Sequence, residues 1–447
     1  MAEATNRVRR QPPGLYLLFG VEMWERFSYY GMRAFLVLFL VSTAGGFGWS
    51  KQEAANLYGW YTGLVYLTPL FGGYLADRVL GTHRALIIGA IVIASGHFCL
   101  ALHGRPTFFL GLALIILGTG FFKSNISTMV GQLYRPEDRR RDAAFTIFYM
   151  GINTGAALGP VICGYLAKSE RFGWHWGFGA AGVGMVLGLV TYLVFKRRFL
   201  PGIGEVPAGR VAARDAQSRE PLSADDKRGI AAIAILAFFN IFFWLAFEQA
   251  GSSMNFFAEE RTRRSFLGID FLAPYFQSVN PVAIIVLAPL FAWMWGRLAT
   301  RGREPSTPVK FVAGLFLVSV SFALMVVAAR FSDAGTRVSP LWLIAVYTLQ
   351  TCGELCLSPV GLSMVTKLAP ARFASLMMGI WFLAFFVSDR CAGILAGQVE
   401  KVERGEVFRL LGGQADFFLM FVVVTLLASA VLFALSGTVK RLMHGRA

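Results

Sequence analysis

The sequence predicts an all-α protein that crosses a membrane many times. Of its 447 residues, 56% are hydrophobic and only 15% are charged, whereas a soluble domain carries about 25% charged residues. The chain also has 41 phenylalanines and 10 tryptophans, and aromatic side chains are typical of lipid contact and of membrane–water interfaces. The apolar residues are gathered in long runs, and a run of about 20 residues can cross the hydrocarbon core as a helix.

Twelve such runs follow one another in two sets of six, and we number them spans 1 to 12. They cover residues 14–41, 52–78, 84–103, 107–132, 143–167, 176–197, and then 228–257, 272–298, 308–330, 340–367, 373–398 and 414–440. The polar stretch 199–227 between the sets is predicted to be a cytoplasmic linker. It is too short to hold two further spans. The sequence therefore predicts two six-helix bundles, residues 1–198 and 228–447.

Basic residues predict the orientation of the spans. They cluster at the N-terminus and within 78–84, 135–141, 196–198, 297–310, 367–372 and 440–446. These positions occupy alternate span ends, so the positive-inside rule places them and both termini in the cytoplasm. Two groups disagree, Arg261 to Arg264 and Lys401 to Arg409, although carboxylates lie beside both. The net charge of +16 is then explained by cytoplasmic loops beside anionic lipid and not by nucleic acid.

Several other classes of protein are disfavoured by missing patterns. Neither His-Glu-x-x-His nor Gly-x-Ser-x-Gly occurs, which argues against a membrane-embedded hydrolase and against an enzyme in general. No short apolar core with a cleavage site follows the N-terminal arginines, so no signal peptide is predicted. The cysteines lie in apolar segments without metal-ligand spacing, and we expect free thiols and no metal site at Cys99, Cys163, Cys352, Cys356 and Cys391.

Span 1 carries a stripe of charge inside an apolar run. Glu22, Glu25, Arg26 and Arg33 follow helical spacing with two tyrosines, Tyr29 and Tyr30, and so share one face. A charged side chain at mid-depth costs about 2.5–3.5 kcal/mol on insertion scales. Two interpretations follow: internal ion pairs that only hold helices together, or a polar seam along a substrate and proton pathway.

The same stretch, Glu-x-x-Glu-Arg-Phe-x-Tyr-Tyr-Gly from Glu22 to Gly31, resembles the first signature of the proton-dependent oligopeptide transporter family. That family is a branch of the major facilitator superfamily. The resemblance implies two six-helix bundles and a monomeric symporter in the cytoplasmic membrane, importing di- and tripeptides with protons by alternating access. Many bacterial relatives carry two extra helices between the halves, and the linker 199–227 predicts that this chain does not.

The loop between spans 2 and 3 resembles the cytoplasmic motif of the superfamily. It reads Gly72-Gly-Tyr-Leu-Ala-Asp-Arg-Val-Leu-Gly81. Glycines permit a tight turn and close helix contact, and a carboxylate can meet basic groups or a helix N-terminus. We therefore predict a conformational latch with no substrate contact, formed by Gly73, Asp77, Arg78 and Gly81.

Spans 4 and 5 supply further polar groups to the first bundle. Lys123 lies mid-span, so it needs a carboxylate or a substrate anion; Ser124 follows it where the family usually has proline. The stretch from Phe145 to Gly155 resembles the second family signature. Within it, Asn153 is expected to hydrogen-bond either a peptide backbone or a neighbouring helix.

In the second bundle, spans 7, 8, 10 and 11 also resemble family motifs. Glu248 is the acidic group of span 7. Asn280 and Pro281 predict an interrupted helix in span 8. Glu354 and Ser358 lie four residues apart and share a face of span 10. Trp381 in span 11 is either core packing or a pocket wall, and the resemblance favours the wall.

These groups make the first bundle basic and the second acidic, which suits a zwitterionic peptide in a central bipolar cleft. Arg26 and Lys123 are expected to bind the peptide carboxylate and Glu354 its ammonium, while Asn153 and Asn280 contact backbone amides. The remaining predicted contacts are Tyr29, Tyr30, Tyr66, Ser358 and Trp381. A rival within transport is nitrate, another small anion or a drug, carried by the same mechanism.

Proton coupling is expected to rest on carboxylates, because a carboxylate that loses a neighbouring cation takes up a proton. The predicted pairs are Glu248 with Arg33, and Glu22 or Glu25 with Lys123. Protons are then the coupling ion, and no cofactor is expected. Animal members of the family have a histidine in span 2 where this chain has Gly59.

Overall fold

The computed structural model describes residues 10–135, 138, 140–207, 223–266, 268–370 and 373–443. The basic residues before Arg10 and after Met443, and most of the predicted linker, lie outside the described residues. The described chain is almost entirely helical, which confirms the predicted fold class.

The described residues of the first half form six long helices. They are α1 (Pro13–Val41), α2 (Lys51–Leu75), α3 (Thr82–Ala101), α4 (Arg105–Gln132), α5 (Arg140–Lys168) and α6 (Trp174–Phe199). A π-helical turn, Ala76–Leu80, follows α2. Glycine ends this turn because Gly81 has a φ of 76°, a conformation that other residues rarely adopt.

In the second half, the part of the chain that the structure describes forms six long and two short helices. They are α7 (Ala224–Phe247), α8 (Ser253–Arg261), α9 (Val279–Thr300), α10 (Thr307–Asp333), α11 (Pro340–Leu368), α12 (Ala374–Ala396), α13 (Val399–Glu403) and α14 (Gln414–Leu442). The 3-10 segments Glu248–Gly251 and Ala273–Ser278 precede α8 and α9. Between them, β1 (Ser265–Phe266) and β2 (Ile269–Asp270) form an antiparallel hairpin.

Ten helical segments among the described residues are long and apolar enough to cross a membrane, with α7 and α8 counted as one segment. The helices α1 and α2 are 29 and 25 residues long but are not among the ten. Every window of 18 residues in α1 includes at least three charged side chains, and α2 is rich in tyrosine and glycine. The count of twelve spans therefore stays a prediction.

By their contacts, the helices form two compact units. Unit 1 contains the chain up to Met32 and residues 67–217, and unit 2 contains residues 33–66 and the chain from Ser218. These borders differ from those of the predicted bundles, because the end of α1 and most of α2 pack with helices of the second half. Asn255 of α8, for example, donates a hydrogen bond of 2.8 Å to the Ala34 carbonyl of α1.

The core of unit 1 is apolar and is formed by α1, α3, α4, α5 and α6. Its fully buried members include Leu18, Val21, Phe122, Met129 and Met185. Helix packing inside a membrane depends on small residues that let backbones approach. This packing holds the charged face of α1 against its neighbours instead of lipid.

Candidate functional site

The first signature folds into a compact ion cluster on α1. The Arg26 Nε atom lies 2.7 Å from Glu22 Oε1 and 2.8 Å from Glu25 Oε2. All three residues are at most 5% exposed. Among the described residues, the second Glu22 oxygen has no hydrogen-bond partner. Two carboxylates thus share the Arg26 guanidinium, and with both of them ionised these three residues have a net charge of −1.

The second signature brings α5 directly against this cluster. A Cβ atom on Gly155 would lie 2.0 Å from the Met23 carbonyl oxygen and 2.9 Å from Arg26 Cβ, so only glycine fits. Asn153 is buried, and its amide nitrogen donates to the Tyr149 carbonyl of its own helix at 2.9 Å. This bond is neither of the two that we considered from the sequence, and peptide contact by Asn153 stays a prediction.

Lys123 is half-buried on α4 in the same unit. Its ammonium acts electrostatically on the Glu25 carboxylate, and the pairing of Lys123 with Glu22 or Glu25 stays a prediction. Tyr29 also borders the cluster, with its ring centre 6.0 Å from the Arg26 guanidinium carbon. Tyr30 stacks edge-on against Tyr29 at 5.1 Å.

The predicted latch spans the C-terminal end of α2, the π-helical turn Ala76–Leu80 and Gly81. Arg78 covers the ring of Tyr74 at 4.7 Å. Gly73 faces the Ser124 side chain of α4, since a Cβ atom there would lie 3.2 Å from Ser124 Oγ. None of the described residues forms a side-chain hydrogen bond or an ion pair with the Asp77 carboxylate. The gating role of this motif therefore stays a prediction.

In unit 2, Arg33 and Glu248 form the predicted pair. Arg33 Nη2 lies 2.5 Å from Glu248 Oε2, and Arg33 Nε donates to the Tyr58 hydroxyl at 2.5 Å. Both charged residues are at most 5% exposed. Glu248 is the first residue of the 3-10 turn after α7, and Gly251 is the last. Only glycine fits at the end of this turn, because a Cβ atom there would lie 1.7 Å from the Tyr58 hydroxyl oxygen.

Sequence reasoning missed Tyr58, Gly251 and the break after α7. The run Gly-Ser-Ser at 251–253 was the available signal, because these residues favour turns and helix starts over helix interiors. Near Asn280, the 3-10 segment Ala273–Ser278 passes into α9 at Val279, and the predicted interruption of this helix stays a prediction.

A second ion pair, which sequence reasoning also missed, lies at the N-terminal end of α2. Lys51 Nζ is 2.7 Å from Glu260 Oε2 and 4.0 Å from Glu400 Oε1. The Lys51 and Glu260 side chains are 16% and 45% exposed. This pair lies at the end of α2 that the positive-inside pattern predicts to be periplasmic.

Removing this outer pair should have a small effect compared with removing Arg33. We expect Lys51→Gln to lower dipeptide uptake only a few-fold, because an exposed pair contributes about 0.2–1 kcal/mol. Arg33→Gln should have a much larger effect, because it leaves Glu248 buried without its partner at a cost of about 3–5 kcal/mol. Initial uptake rates in proteoliposomes, at equal protein, compare the two; equal losses would contradict this ranking.

Three of the basic residues that disagreed with the positive-inside rule, Arg261, Arg264 and Arg404, are paired with carboxylates. Arg261 contacts both Asp333 and Glu403. Further pairs join Arg264 to Glu259 at 2.8 Å and Arg404 to Glu406 at 2.6 Å. Their charge is therefore balanced locally, which explains why they can occupy loops predicted to be periplasmic.

The predicted ammonium site is held in place by a neighbouring amide. Asn280 Nδ2 lies 2.8 Å from Glu354 Oε2 and 3.0 Å from the Thr351 hydroxyl. Glu354 is 7% exposed. Ser358 lies one helical turn further along α11 and is half-buried. Asn280 thus positions Glu354 directly, in addition to any contact with a peptide.

The two predicted aromatic walls in unit 2 have different surroundings. Trp381 is 1% exposed and packs against Phe311, with ring centres 6.3 Å apart. A Cβ atom on Gly361 would lie 2.5 Å from the Trp381 ring, so the glycine at this position makes room for the indole. Tyr66 is half-buried and stacks on Phe385 at 5.2 Å. In this structure Trp381 serves as packing, and its role as a wall stays a prediction.

These helices, with charged side chains buried among apolar ones, define a polytopic membrane protein of the transporter class. The model of the POT family matches residues 83–201 and 205–410. The chain belongs to this family.

Known relatives agree over nearly the whole chain. It is 37% identical to the peptide transporter YePEPT of Yersinia enterocolitica subsp. palearctica, over 96% of this chain and 94% of that one. It is 34% identical to a di-/tripeptide transporter of Lactococcus lactis subsp. lactis, over 90% and 97% of the two chains. A crystal structure of a peptide transporter POT in complex with sulfate matches with a TM-score of 0.87 and 35% identity, over 97% and 96% of the two chains.

Proposed function

We propose that this protein is a proton-coupled symporter that imports di- and tripeptides across the cytoplasmic membrane by alternating access, as a monomer with both termini in the cytoplasm. The observation that carries the proposal is the buried Arg33–Glu248 pair at 2.5 Å. It joins α1 of the predicted first bundle to the turn after α7 of the predicted second bundle. Its formation and loss can therefore accompany closing and opening of the periplasmic mouth.

Proton binding at Glu248 supplies the coupling. A carboxylate beside a cation stays ionised, and protonation removes the attraction that holds the pair. Protonation from the periplasm then favours opening to that side, where the peptide enters. When the pair forms again, Glu248 releases its proton towards the cytoplasm. The excess negative charge of the Glu22–Glu25–Arg26 cluster offers a second proton-binding group in unit 1.

The substrate class follows from the signs of the buried charges. Unit 2 offers Glu354 for an ammonium group, and unit 1 offers Arg26 and Lys123 for a carboxylate. Solved relatives in the family were crystallised with alafosfalin and with 5-aminolevulinic acid. Because these contacts would be made to peptide termini, selectivity among side chains is expected to be broad. Transport of nitrate or another small anion is disfavoured, because Glu354 would have no cationic partner.

Competition for uptake tests this substrate class. Proteoliposomes with an inward proton gradient are given a labelled dipeptide together with an excess of unlabelled dipeptide, tripeptide, free amino acid or nitrate. We expect the two peptides to abolish labelled uptake, and nitrate and the amino acid to leave it unchanged. Inhibition by nitrate with none by tripeptide would assign the protein to anion transport.

Replacing Glu354 tests the ammonium site. Glu354→Gln should weaken dipeptide binding at least tenfold, because it removes the only charge in unit 2 that we assign to the peptide ammonium. An N-acetylated dipeptide should bind poorly to the wild type and be affected little by the substitution. Binding is measured by competition against a labelled dipeptide. Equal wild-type affinities for free and acetylated dipeptides would remove the assignment.

A further inference from the structure

An open cavity of about 560 Å³ lies at the first turn of α10 and extends to Pro359 of α11, the neighbour of Ser358. Its lining includes Lys310 of α10, Lys367 at the end of α11 and Lys440 near the end of α14. Glu304 supplies the one carboxylate among the described lining residues. With three positive charges and one negative from these residues, the cavity is basic. The positive-inside pattern predicts that these helix ends face the cytoplasm.

The cavity also contains hydrogen-bond donors without acceptors. The Ser306 side chain at the N-cap of α10 does not cap the helix, so amides of the first turn are left for another acceptor. Thr307 lines the cavity and is only 9% exposed, and its hydroxyl forms no hydrogen bond to any described residue. Helix amides, this hydroxyl and the lysines together favour an anion.

The Glu304 carboxylate partly fills the position that such an anion would take. Lys310 is 8% exposed, and its Nζ atom lies 2.5 Å from Glu304 Oε1. The Glu304 side chain is 42% exposed and comes from the loop before α10. It can therefore turn into water when another anion arrives. Lys310 also lies 4.8 Å from the Trp295 ring centre, which holds the ammonium in place without neutralising it.

We propose that this cavity binds a phosphate-bearing anion, with Lys310, Lys367 and Lys440 as its charged contacts and Thr307 and the α10 amides as donors. Lysine binds phosphate as a point charge, and hydroxyls and helix N-termini donate to its oxygens. Two sources have this chemistry: the headgroup of an anionic phospholipid and free phosphate. Basic pockets between membrane helices at the cytoplasmic side are suited to such headgroups.

Purified full-length protein in detergent tests the proposal with two readouts. Native mass spectrometry measures retention of phosphatidylglycerol against phosphatidylcholine. Hydrogen–deuterium exchange measures protection of the backbone amides of residues 306, 307 and 309–312 by phosphatidylglycerol or by inorganic phosphate, since Pro308 has no amide hydrogen. We expect phosphatidylglycerol to be retained preferentially and to protect these amides. Protection by inorganic phosphate without any by the lipid would assign the site to free phosphate and equally support it.

Three variants make the result specific to this cavity. The double variant Lys367→Gln with Lys440→Gln should reduce protection of these amides at least tenfold. Its matched control, Lys227→Gln with Arg228→Gln, removes two exposed positive charges outside the cavity and should behave as wild type. Glu304→Gln removes the competing carboxylate and should strengthen binding several-fold. Absence of protection by both ligands, unchanged binding in the double variant, or weaker binding in Glu304→Gln would each overturn the proposal.

Discussion

Replacing Glu248 by glutamine is expected to abolish proton-driven accumulation of dipeptide while leaving exchange intact. Glutamine is a neutral amide of nearly the same shape as a protonated glutamate, so it holds the site in the state without the ion pair. Net import with a proton then stops, because no proton can be released. Exchange of peptide for peptide requires no net proton movement and should continue.

The measurement combines two assays on the same proteoliposomes. Gradient-driven uptake should leave the internal dipeptide concentration no higher than the external one, while counterflow into liposomes loaded with unlabelled dipeptide should persist. Glu260→Gln is the control, since Glu260 lies in the same unit but its pair with Lys51 is half-exposed. Accumulation above the external concentration in Glu248→Gln would refute the coupling role. Loss of both activities with intact binding would show that Glu248 controls opening itself.

Replacing Lys123 by alanine should also abolish proton-driven uptake. The substitution removes the cation that acts on Glu25 and the predicted partner of the peptide carboxylate. The two carboxylates of the cluster would then share Arg26 alone, which disfavours keeping both ionised. Uptake and equilibrium binding of a labelled dipeptide, measured on folded protein, separate the loss of coupling from the loss of affinity.

Lys196→Ala is a matched control for that experiment. Lys196 is also a buried lysine of unit 1, 7% exposed, and it pairs with Glu205 away from the ion cluster. The Lys196→Ala variant should retain proton-driven uptake. Wild-type accumulation in Lys123→Ala would mean that Lys123 has only a structural role.

Much of the site could be predicted because charges in an apolar span are informative. Burial of Arg33 and Glu248 is costly unless they meet, so their depth and opposite signs predicted the pair. The same argument predicts a pair between Lys123 and Glu22 or Glu25, which stays a prediction. Spacing along α1 predicted the shared face of Glu22 and Arg26, because helical periodicity is local.

The features that were missed depend on three-dimensional proximity. Lys51 and Glu260 are 209 residues apart, and nothing local to either one indicates the other. Gly251 is needed because the Tyr58 hydroxyl approaches it from another helix. Asn153 bonds within its own helix, although its sequence context allowed two other partners. The position of the unit border within α1 likewise follows from contacts with α8 that no single segment encodes.

The coupling of peptide movement to proton movement is tested most directly without imposing a proton gradient. Proteoliposomes containing a pH-sensitive dye are clamped at zero membrane potential, and dipeptide is added outside. We predict that the lumen acidifies as the dipeptide enters, and that an N-acetylated dipeptide produces no acidification. Entry of the dipeptide at the wild-type rate without acidification would contradict the proposed symport.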